Sequence, residues 1–531
     1  MLAAGGPSVP RDRRSLPWHV LGVAAVPVLF LFAENADEQL TLAPLWPPLA
    51  MALGGSIVTL LACAALLRDW RRGGLLASLL LIGFFSFGHA WAQAAGPLDH
   101  PAFLLAAYEL PLLVGAVLIW RGGGWVGPVS RYLNLAAALM VVFNVWRVAD
   151  FAIVSRTAAV TTGTIPALTV GQAGRPDIYY LILDRYAGNE SLRAYYDYDN
   201  TPFLDALADR GFAVAGDSWA NYFKTALSLV GSLSLDYLDP AEYNGSGPDS
   251  FYPIHSALRG RLAVPAALKQ IGYEYVLIRN YWEPTRTNID ADVVPGNTDV
   301  SEFQAAVAQT TALVLLAPPA APDDDPETIA FPELARRTTL FGFNQLEAAR
   351  DRAGPTFVFA HILVPHPPYV FNADGSMPTD AEARSRSEEQ KYVEQLKWTN
   401  QRVLEMIDHL LDVPPGEEPI IIVQADEGPW PARFRADQTN FAWLEATPDE
   451  VARKFGILNA YHLPGVSGSE LNALGFYDRI SPVNLFRIVF NAYFGTDLPM
   501  LPDVTYLSPD YDHMYDLVEY DRDAAPPQAQ P

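Results

Sequence analysis

The chain has 531 residues, half of them hydrophobic, and a formal net charge of −24. A single soluble domain does not combine these two properties, so the composition predicts an apolar part beside an acidic part. The only cysteine, Cys63, excludes an intramolecular disulfide, and the negative charge argues against nucleic acid as a ligand, because Lys and Arg hold phosphate backbones.

The first 156 residues have the pattern of a membrane domain. They contain apolar stretches near the length of about 20 residues that crosses a bilayer, and these mostly lack the polar face of soluble helices. The five stretches are Pro17–Ala33, Leu42–Leu67, Leu75–Ala95, Ala102–Trp120 and Leu133–Val154. This part has a net charge of +2, against −26 for the rest. We predict a five-span α-helical membrane domain over residues 1–156.

Positive charge in the short connections predicts the orientation of these spans. Eight arginines lie before the first span, after the second and beside the link that follows the fourth: Arg11, Arg13, Arg14, Arg68, Arg71, Arg72, Arg121 and Arg131. The other two loops, at 34–39 and 96–100, contain no Lys or Arg. Because positive loops stay in the cytoplasm, the N-terminus is predicted to be cytoplasmic and residues from 157 onward to be extracytoplasmic, in a multi-pass protein of the cytoplasmic membrane.

Residues 157–176 are rich in Thr, Gly, Ala and Pro and read as a linker, and residues 522–531 read as a disordered tail. Between them, short apolar runs alternate with helical segments. The strand-like runs are Ile178–Leu183, Phe212–Ala215, Tyr273–Ile278, Phe357–His361 and Ile420–Val423, and the helical segments are Pro202–Arg210, Thr225–Tyr237, Leu262–Gln270, Glu333–Arg350 and Glu388–Leu411. This alternation predicts an α/β domain over residues 177–521 with a mostly parallel central sheet, whose ligands gather at the carboxyl ends of the strands.

Carboxylates and imidazoles follow three of these strands. Asp184 follows the first, Asp426 and Glu427 follow the last, and His361 and His366 follow the strand that begins at Phe357. One such placement is an ordinary loop residue, whereas three together favour a site. The set Asp184, Asp426 and Glu427 is rich in oxygen and suits one divalent cation. Manganese is favoured, magnesium and calcium are alternatives, and zinc fits less well. We interpret His361 as a packing residue rather than a ligand.

Thr225 opens an apolar helix and has two interpretations. Its hydroxyl can cap the helix, or it can act as a nucleophile, since a metal lowers the pKa of a bound hydroxyl and a helix N-terminus binds an incoming phosphoryl group. Lys224 and Arg433 are weak candidates for binding phosphate oxygens, and His462 is a weak candidate for approaching the site.

With these residues the chain resembles the alkaline phosphatase and sulfatase superfamily, and within it the lipoteichoic acid synthase and phosphoethanolamine transferase branch. The resemblance covers essentially the whole chain and implies an alkaline phosphatase-like sheet with one divalent metal. By motif position, Asp184, Thr225 and Asp426 look like the metal ligands, with Thr225 as the nucleophile. The segment Val364–Tyr369 is similar to a His-x-Pro-aromatic motif, in which His366 would face the transferred phosphate.

The chain departs from the pattern of that branch in one place. It reads Asp426-Glu427-Gly428 where Asp-His-Gly is usual, so an imidazole is lost and a negative charge is added beside an anionic substrate. Either the metal preference has changed or the site is impaired. The Cys-x-Pro-x-Arg or Ser-x-Pro-x-Arg element that supplies formylglycine in sulfatases is also missing, which disfavours sulfatase activity of that kind.

Two functions are therefore open. The first is a membrane-anchored, metal-dependent phosphotransferase or phosphoric-ester hydrolase that acts on an envelope lipid or glycan through a phosphothreonine intermediate. A phospholipid head group is a natural donor for this reaction. His366 would stabilise charge or protonate the leaving group. The alternative is a catalytically impaired sulfatase-like protein that binds an envelope glycan or a partner. The sequence does not separate transfer from hydrolysis.

Overall fold

The structure is a computed structural model that describes residues 16–36, 39, 41–94, 101–154, 165–170, 174–243, 250–297, 300–316 and 332–523. The chain divides into two compact units, one from residues 1–36, 41–153 and 306–316, and one from residues 37–40, 154–305 and 317–531. Much of the predicted linker and most of the predicted tail at 522–531 lie outside the described residues.

The first unit is helical. Its helices are α1 (His19–Glu34), α2 (Trp46–Leu67), α3 (Trp70–Ala94), α4 (Pro101–Arg121) and α5 (Val126–Val154). Within the described residues, three segments are long and apolar enough to cross a membrane by length and composition, namely Ala43–Leu67, Trp70–Trp91 and Val126–Asp150. They correspond to the second, third and fifth predicted spans. Helix α1 has only 16 residues and is shorter than the length required, so five spans are not confirmed.

Small and polar side chains hold the helices of this unit together. A Cβ atom added at Gly22 would lie 2.7 Å from the Cβ of Ala137, so α1 and α5 approach each other closely. The fully buried ring of His19 lies within hydrogen-bonding distance of two hydroxyls, with Nδ1 2.7 Å from Ser78 Oγ and Nε2 3.2 Å from Ser130 Oγ. Close backbone approach and interhelical hydrogen bonds are the usual means by which membrane helices associate.

The second unit is built on a six-stranded sheet. In chain order its strands are β1 (Ile178–Leu183), β2 (Ala213–Val214), β3 (Glu274–Ile278), β4 (Thr356–Ile362), β5 (Ile420–Gln424) and β6 (Asn459–His462), and the spatial order is β2-β6-β5-β1-β4-β3. Strand β1 lies between β4 and β5 and is parallel to both, β3 is parallel to β4, and only β6 runs against its neighbours. The prediction of an α/β unit with a mostly parallel sheet is confirmed.

The three central strands β1, β4 and β5 are buried along their whole length. Helices cover both faces of a parallel sheet, so such strands read as continuous apolar runs rather than alternating ones. Aromatic side chains fill one layer of this core, where the ring of Tyr180 stacks on Phe359 at 5.5 Å and meets the edge of Phe486 at 5.2 Å. A second sheet, which the sequence did not predict, pairs β7 (Thr505–Leu507) with β8 (Val518–Tyr520).

The second unit also contains helices. They are α6 (Asn189–Tyr196), α7 (Thr201–Ala208), α8 (Thr225–Ser234), α9 (Pro240–Tyr243), α10 (Tyr252–Arg259), α11 (Ala263–Gln270), α12 (Glu302–Gln309), α13 (Pro332–Ala348), α14 (Asp380–Ser385), α15 (Glu388–Leu411), α16 (Ala432–Ala436), α17 (Pro448–Phe455), α18 (Gly468–Ala473) and α19 (Leu485–Tyr493). Of these, α12 continues into the first unit. Helix α15 has its predicted bounds, and a capping box between Ser387 and Gln390 starts it. Helix α8 ends earlier than predicted because Leu235 adopts a left-handed conformation with φ of 57°.

Candidate active site

Three neighbouring strands deliver the polar side chains of the site to one edge of the sheet. Asp184 directly follows β1, Asp426 lies just beyond β5, and His361 is the second-last residue of β4. Because β1 is parallel to both neighbours, their carboxyl ends meet, and ligand atoms of Asp184, His361 and Asp426 lie within 4.8 Å of one another. The structure thus brings together two of the carboxylates singled out in the sequence and adds a histidine.

His361 is oriented by groups behind it. Its Nδ1 atom lies 3.1 Å from the Thr285 hydroxyl, and its Nε2 atom lies 3.2 Å from Asp184 Oδ2. If Nδ1 carries the ring proton and donates it to Thr285, the Nε2 lone pair faces the carboxylates, which is the arrangement that outer partners impose on metal-binding histidines. Sequence analysis took His361 for a packing residue, although its place near the end of β4, beside the strand that precedes Asp184, was a usable signal.

The group has the unsatisfied atoms that a cation would complete. Among the described residues, Asp184 Oδ1 and Asp426 Oδ2 are buried atoms without a hydrogen-bond partner, as is Glu427 Oε2 beside them, and His361 Nε2 faces only the Asp184 carboxylate, at 3.2 Å. Buried polar atoms are nearly always paired, and leaving one unpaired costs about 1–3 kcal/mol. Two carboxylates and an imidazole in a buried cluster are donors that a divalent metal accepts. The residues therefore fit a bound metal ion.

The two carboxylates of this group affect each other's protonation. Burial and the charge of Asp184 raise the pKa of Asp426 to about 6, against hydrogen bonds from Thr225 and from the Arg185 main chain. Burial also opposes ionisation of Asp184, but His366 and His361 outweigh it and hold the pKa of that carboxyl well below its usual value. Like charges this close favour a shared proton or a shared cation.

Thr225 faces the same place from another element. It is the first residue of α8, its side chain lies close to the Asp426 carboxyl group, and it lines a cavity of about 130 Å³ together with Asp184 and His366. The residue before the helix, Lys224, has extended backbone, so Thr225 is the first helical residue rather than the cap. A neighbouring carboxylate can accept the proton of a hydroxyl, and the backbone N–H groups of a helix N-terminus can bind an anion.

Glu427 requires a correction, because it lies outside the group formed by Asp184, His361 and Asp426. Its carboxylate is buried, and its Oε1 atom lies 2.6 Å from Lys454 Nζ and 3.4 Å from Arg185 Nε. Burial raises the pKa of Glu427 to about 8, although Lys454 opposes the rise. The Glu427 carboxylate is therefore paired with two cations, whereas the His361 imidazole from β4 lies within the candidate group.

The remaining predicted residues divide into two groups. His366 and Lys224 line the cavity. The Lys224 ammonium donates to the Tyr511 carbonyl at 2.7 Å. Arg433 lies at the surface and binds Glu450 at 2.8 Å. His462 pairs with Ile421 near the start of β5, which is the end of that strand away from Asp426, so the sheet register keeps it from the site.

No model of a protein family matches this sequence, and no curated protein matches it. Comparison with solved structures retrieves lipooligosaccharide phosphoethanolamine transferase A from Neisseria meningitidis, with 11% identity, a TM-score of 0.41 and coverage of 89% of this chain and 95% of that one. It also retrieves a lipoteichoic acid synthase from Listeria monocytogenes, with 13% identity, a TM-score of 0.39 and coverage of 68% and 84%.

A third structure, described as a putative sulfatase from Bacteroides thetaiotaomicron, matches with 12% identity and a TM-score of 0.38, over 64% of this chain and 79% of that one. These neighbours are named as transferases, a synthase and a sulfatase, the groups that the sequence motifs resemble. The TM-scores are too low to transfer a fold or an activity to this chain, so its own side chains must carry the functional argument.

Proposed function

We propose that this chain is a membrane-anchored, metal-dependent phosphotransferase or phosphoric-ester hydrolase that acts on an envelope lipid or glycan through a phosphothreonine intermediate. The observation that carries the proposal is the position of Thr225, at a helix N-terminus, close to the Asp426 carboxyl group and open to the cavity that Asp184 also lines. Asp184 belongs to the buried Asp-His-Asp group, so the nucleophile lies beside a place for a metal.

The proposal extends to the organisation of the chain. We place five spans in residues 1–156 with a cytoplasmic N-terminus, a linker at 157–176, the extracytoplasmic catalytic domain at 177–521 and a tail at 522–531. The candidate spans and the distribution of arginine support this arrangement. A catalytic domain tethered this way works at the outer membrane surface, where a phospholipid head group is a natural phosphoryl donor.

Asp184, His361, Asp426 and the Thr225 hydroxyl would hold the metal. When bound, the metal would supply positive charge that lowers the pKa of the Thr225 hydroxyl and stabilises the negative charge on the phosphoryl oxygens. The Asp426 carboxylate, which lies close to Thr225, would accept the Thr225 proton. The Thr225 oxygen forms a bond to phosphorus as the ester oxygen leaves, and His366, which lines the same cavity, gives that oxygen a proton. Attack by a second hydroxyl on the phosphothreonine then restores Thr225.

The donor atoms of the site bear on which metal ion it would bind. Manganese was favoured on the oxygen-rich set that included Glu427, and we retain it as the proposal, with magnesium and calcium as alternatives. His361 in place of Glu427 makes the donor set less purely oxygen, which brings zinc into the comparison. The metal content of the solubilised full-length protein, measured by mass spectrometry after supplementation with each ion, decides among them.

Removing His361 is expected to remove the metal. We predict about one equivalent of metal in the unaltered protein and a loss of at least about 10-fold in affinity in Asp184→Ala and in His361→Ala. His462→Ala is the matched control, because this histidine lies at the other end of β5, and it should keep its metal. Full metal content in His361→Ala, or none in the unaltered protein, would contradict the proposed site.

Loss of the Thr285 hydroxyl, which lies behind His361, is expected to lower the metal affinity less than loss of His361 itself, but by a measurable amount. Thr285→Val keeps the shape of the side chain and removes the partner that lies 3.1 Å from His361 Nδ1. Because the ring then loses its orientation and tautomer, we predict a fall of about 10-fold in metal affinity, at the low end of the effect of such outer partners. Metal titration of the two proteins measures it. An unchanged affinity would mean that packing alone orients the ring.

The alternative function, a catalytically impaired protein that binds an envelope glycan or partner, was suggested by the glutamate at position 427. That argument weakens because His361 offers an imidazole where Glu427 does not. Metal analysis also separates the two functions, since a binding module has no need to retain a metal. The phosphothreonine can pass its phosphoryl group to a lipid or glycan hydroxyl, which is transfer, or to water, which is hydrolysis.

A further inference from the structure

Gln39 was not among the residues singled out in the sequence, yet it lines the same cavity as Thr225 and Asp184. It lies in the chain between α1 and α2 and belongs to the second unit, as do the other residues of the cavity wall. The orientation proposed above puts the loop at 34–39 on the extracytoplasmic side, which is also the side of the catalytic domain. The side chain is only 5% exposed, so Gln39 places a buried amide in the wall of the cavity.

The side-chain oxygen of Gln39 is an acceptor that lacks a donor. Among the described residues, none donates a hydrogen bond to Gln39 Oε1. Buried polar atoms of side chains are nearly always paired, and an unpaired one lowers the stability of the fold. Such a residue is expected at functional sites, where a ligand that brings a donor completes the pairing. Gln39 therefore has the properties of a ligand-binding side chain rather than of a structural one.

A second acceptor of the cavity wall is in the same condition. Glu283, in the turn that follows β3, is 7% exposed, and its Oε1 atom lies 3.1 Å from Arg259 Nη1, whereas no described residue pairs with its Oε2 atom. Arg259 offsets the charge of this carboxylate, but acceptance of a hydrogen bond needs only a lone pair. Thr285, in the same turn, lies 3.1 Å from His361 Nδ1. The second acceptor is thus carried by the turn that contacts the candidate metal group.

Aromatic rings also line the cavity. The ring centre of Trp282 lies 5.3 Å from that of His361, and Phe251 and Trp430 are further members of the wall. The Trp430 ring is supported from within the fold by Lys454, whose Nζ lies 3.1 Å from the ring centre. Sites for small ligands combine apolar and aromatic surface with a few placed polar groups. This cavity therefore fits a small group that has a carbon chain and hydrogen-bond donors.

We propose that Gln39 is a specificity-determining residue of the cavity. Its side-chain oxygen, together with Glu283 Oε2, accepts hydrogen bonds from the alcohol that is esterified to the substrate's phosphate. That alcohol carries an O–H or N–H donor, as a polyol or an amino alcohol does, and its carbon chain lies against the aromatic rings. This inference rests on the proposed function, because it describes the group attached to phosphorus in the same reaction.

The test measures binding of three phosphonates to the solubilised full-length protein by calorimetry. The probes are 2-hydroxyethylphosphonate, 2-aminoethylphosphonate and propylphosphonate, whose chains of similar length end in a hydroxyl, an ammonium or a methyl group. Because their C–P bond is not an ester bond, binding is measured apart from turnover. We expect the unaltered protein to bind at least one donor-bearing probe about 10- to 100-fold more tightly than propylphosphonate, from two hydrogen bonds. The better of the two probes distinguishes a polyol from an amino alcohol.

Gln39→Met keeps the length of the side chain and removes the amide. We expect it to lower the preference for the donor-bearing probe about 3- to 10-fold and to leave the affinity for propylphosphonate within about twofold. The midpoint of thermal unfolding should not fall, because the amide oxygen loses no partner among the described residues. Gln401→Met is the matched control and should keep the preference, since Gln401 lies on α15, outside the cavity wall, and donates to Glu405 at 3.2 Å.

Glu283→Gln tests the second acceptor. It keeps the shape of the side chain and exchanges one oxygen for an NH2 group, which does not accept hydrogen bonds. Because Arg259 retains an oxygen at the position of Oε1, the NH2 group takes the place of Oε2. We expect the preference for the donor-bearing probe to fall about 3- to 10-fold, with propylphosphonate binding unchanged. An unchanged preference in this variant would remove Glu283 from the subsite.

Equal losses of affinity for all three probes in Gln39→Met, or a lower midpoint of unfolding, would mean a structural role and would overturn the inference. So would an unchanged preference in Gln39→Met, or an unaltered protein that binds no probe or binds all three alike. The proposed function fails separately. If no phosphoric ester is turned over, yet the preference depends on Gln39, the subsite stands and the reaction does not. If turnover is present and the preference ignores Gln39, the reaction stands and this inference does not.

Discussion

Thr225→Ala is expected to lower turnover of a fluorescent phospholipid by about 10⁴-fold or more, because loss of a nucleophile removes the covalent route and leaves only binding and electrostatic effects. The side chain is half-buried at the start of α8, so the fold should survive. Thr225→Ser keeps a hydroxyl and should keep measurable activity. Mass spectrometry of peptides from quenched reactions should find the phosphoryl group on Thr225 in the unaltered protein and none in Thr225→Ala.

The matched control for this substitution is Ser228→Ala. Ser228 lies one turn further along α8, where its hydroxyl donates to the Tyr222 carbonyl at 3.2 Å, and it is not part of the cavity lining. Its removal should leave turnover close to that of the unaltered protein. An active Thr225→Ala protein would exclude the phosphothreonine route, and a phosphoryl group found on Ser228 would move the nucleophile.

Lys454→Met is expected to destabilise the second unit strongly. Glu427 is 1% exposed, and it would lose the ammonium that lies 2.6 Å from its carboxylate. Removing one partner of a buried ion pair costs about 3–5 kcal/mol of the free energy of unfolding, because the other charge is left buried and unpaired. Arg185 at 3.4 Å compensates in part, so we expect about 3 kcal/mol. Denaturant unfolding of the solubilised protein, followed by tryptophan fluorescence, measures this cost.

Two controls test the physical reason. Arg193→Ala breaks an ion pair with Asp199 in which both side chains are more than half exposed, and it should cost far less stability than Lys454→Met. The double variant Lys454→Met/Glu427→Gln removes both buried charges and should recover much of the lost stability. Equal losses in Lys454→Met and in the double variant would mean that the cost comes from packing against Trp430 rather than from the unpaired carboxylate.

Local patterns carried much of the prediction of the second unit. The continuous apolar run of β1 and the capped, periodic pattern of α15 depend on neighbours in sequence, and both elements have their predicted bounds. Helix α8 was predicted too long, because its end depends on a left-handed Leu235, a residue type that gives no signal for that conformation. The hairpin of β7 and β8 was missed, since strands of three residues carry too little periodicity.

In the site, the sequence by itself determined that Asp184 and Asp426 each follow a strand and that Thr225 begins a helix. Each of these is a property of a residue and its own element. The partner of a side chain was decided only by the tertiary structure. His361 becomes a candidate ligand because β4 lies beside β1, and Glu427 forms a buried ion pair because Lys454, from α17, lies against it. Strand order and the partner of a buried charge depend on contacts between residues far apart in the chain. Such contacts leave no local pattern in the sequence.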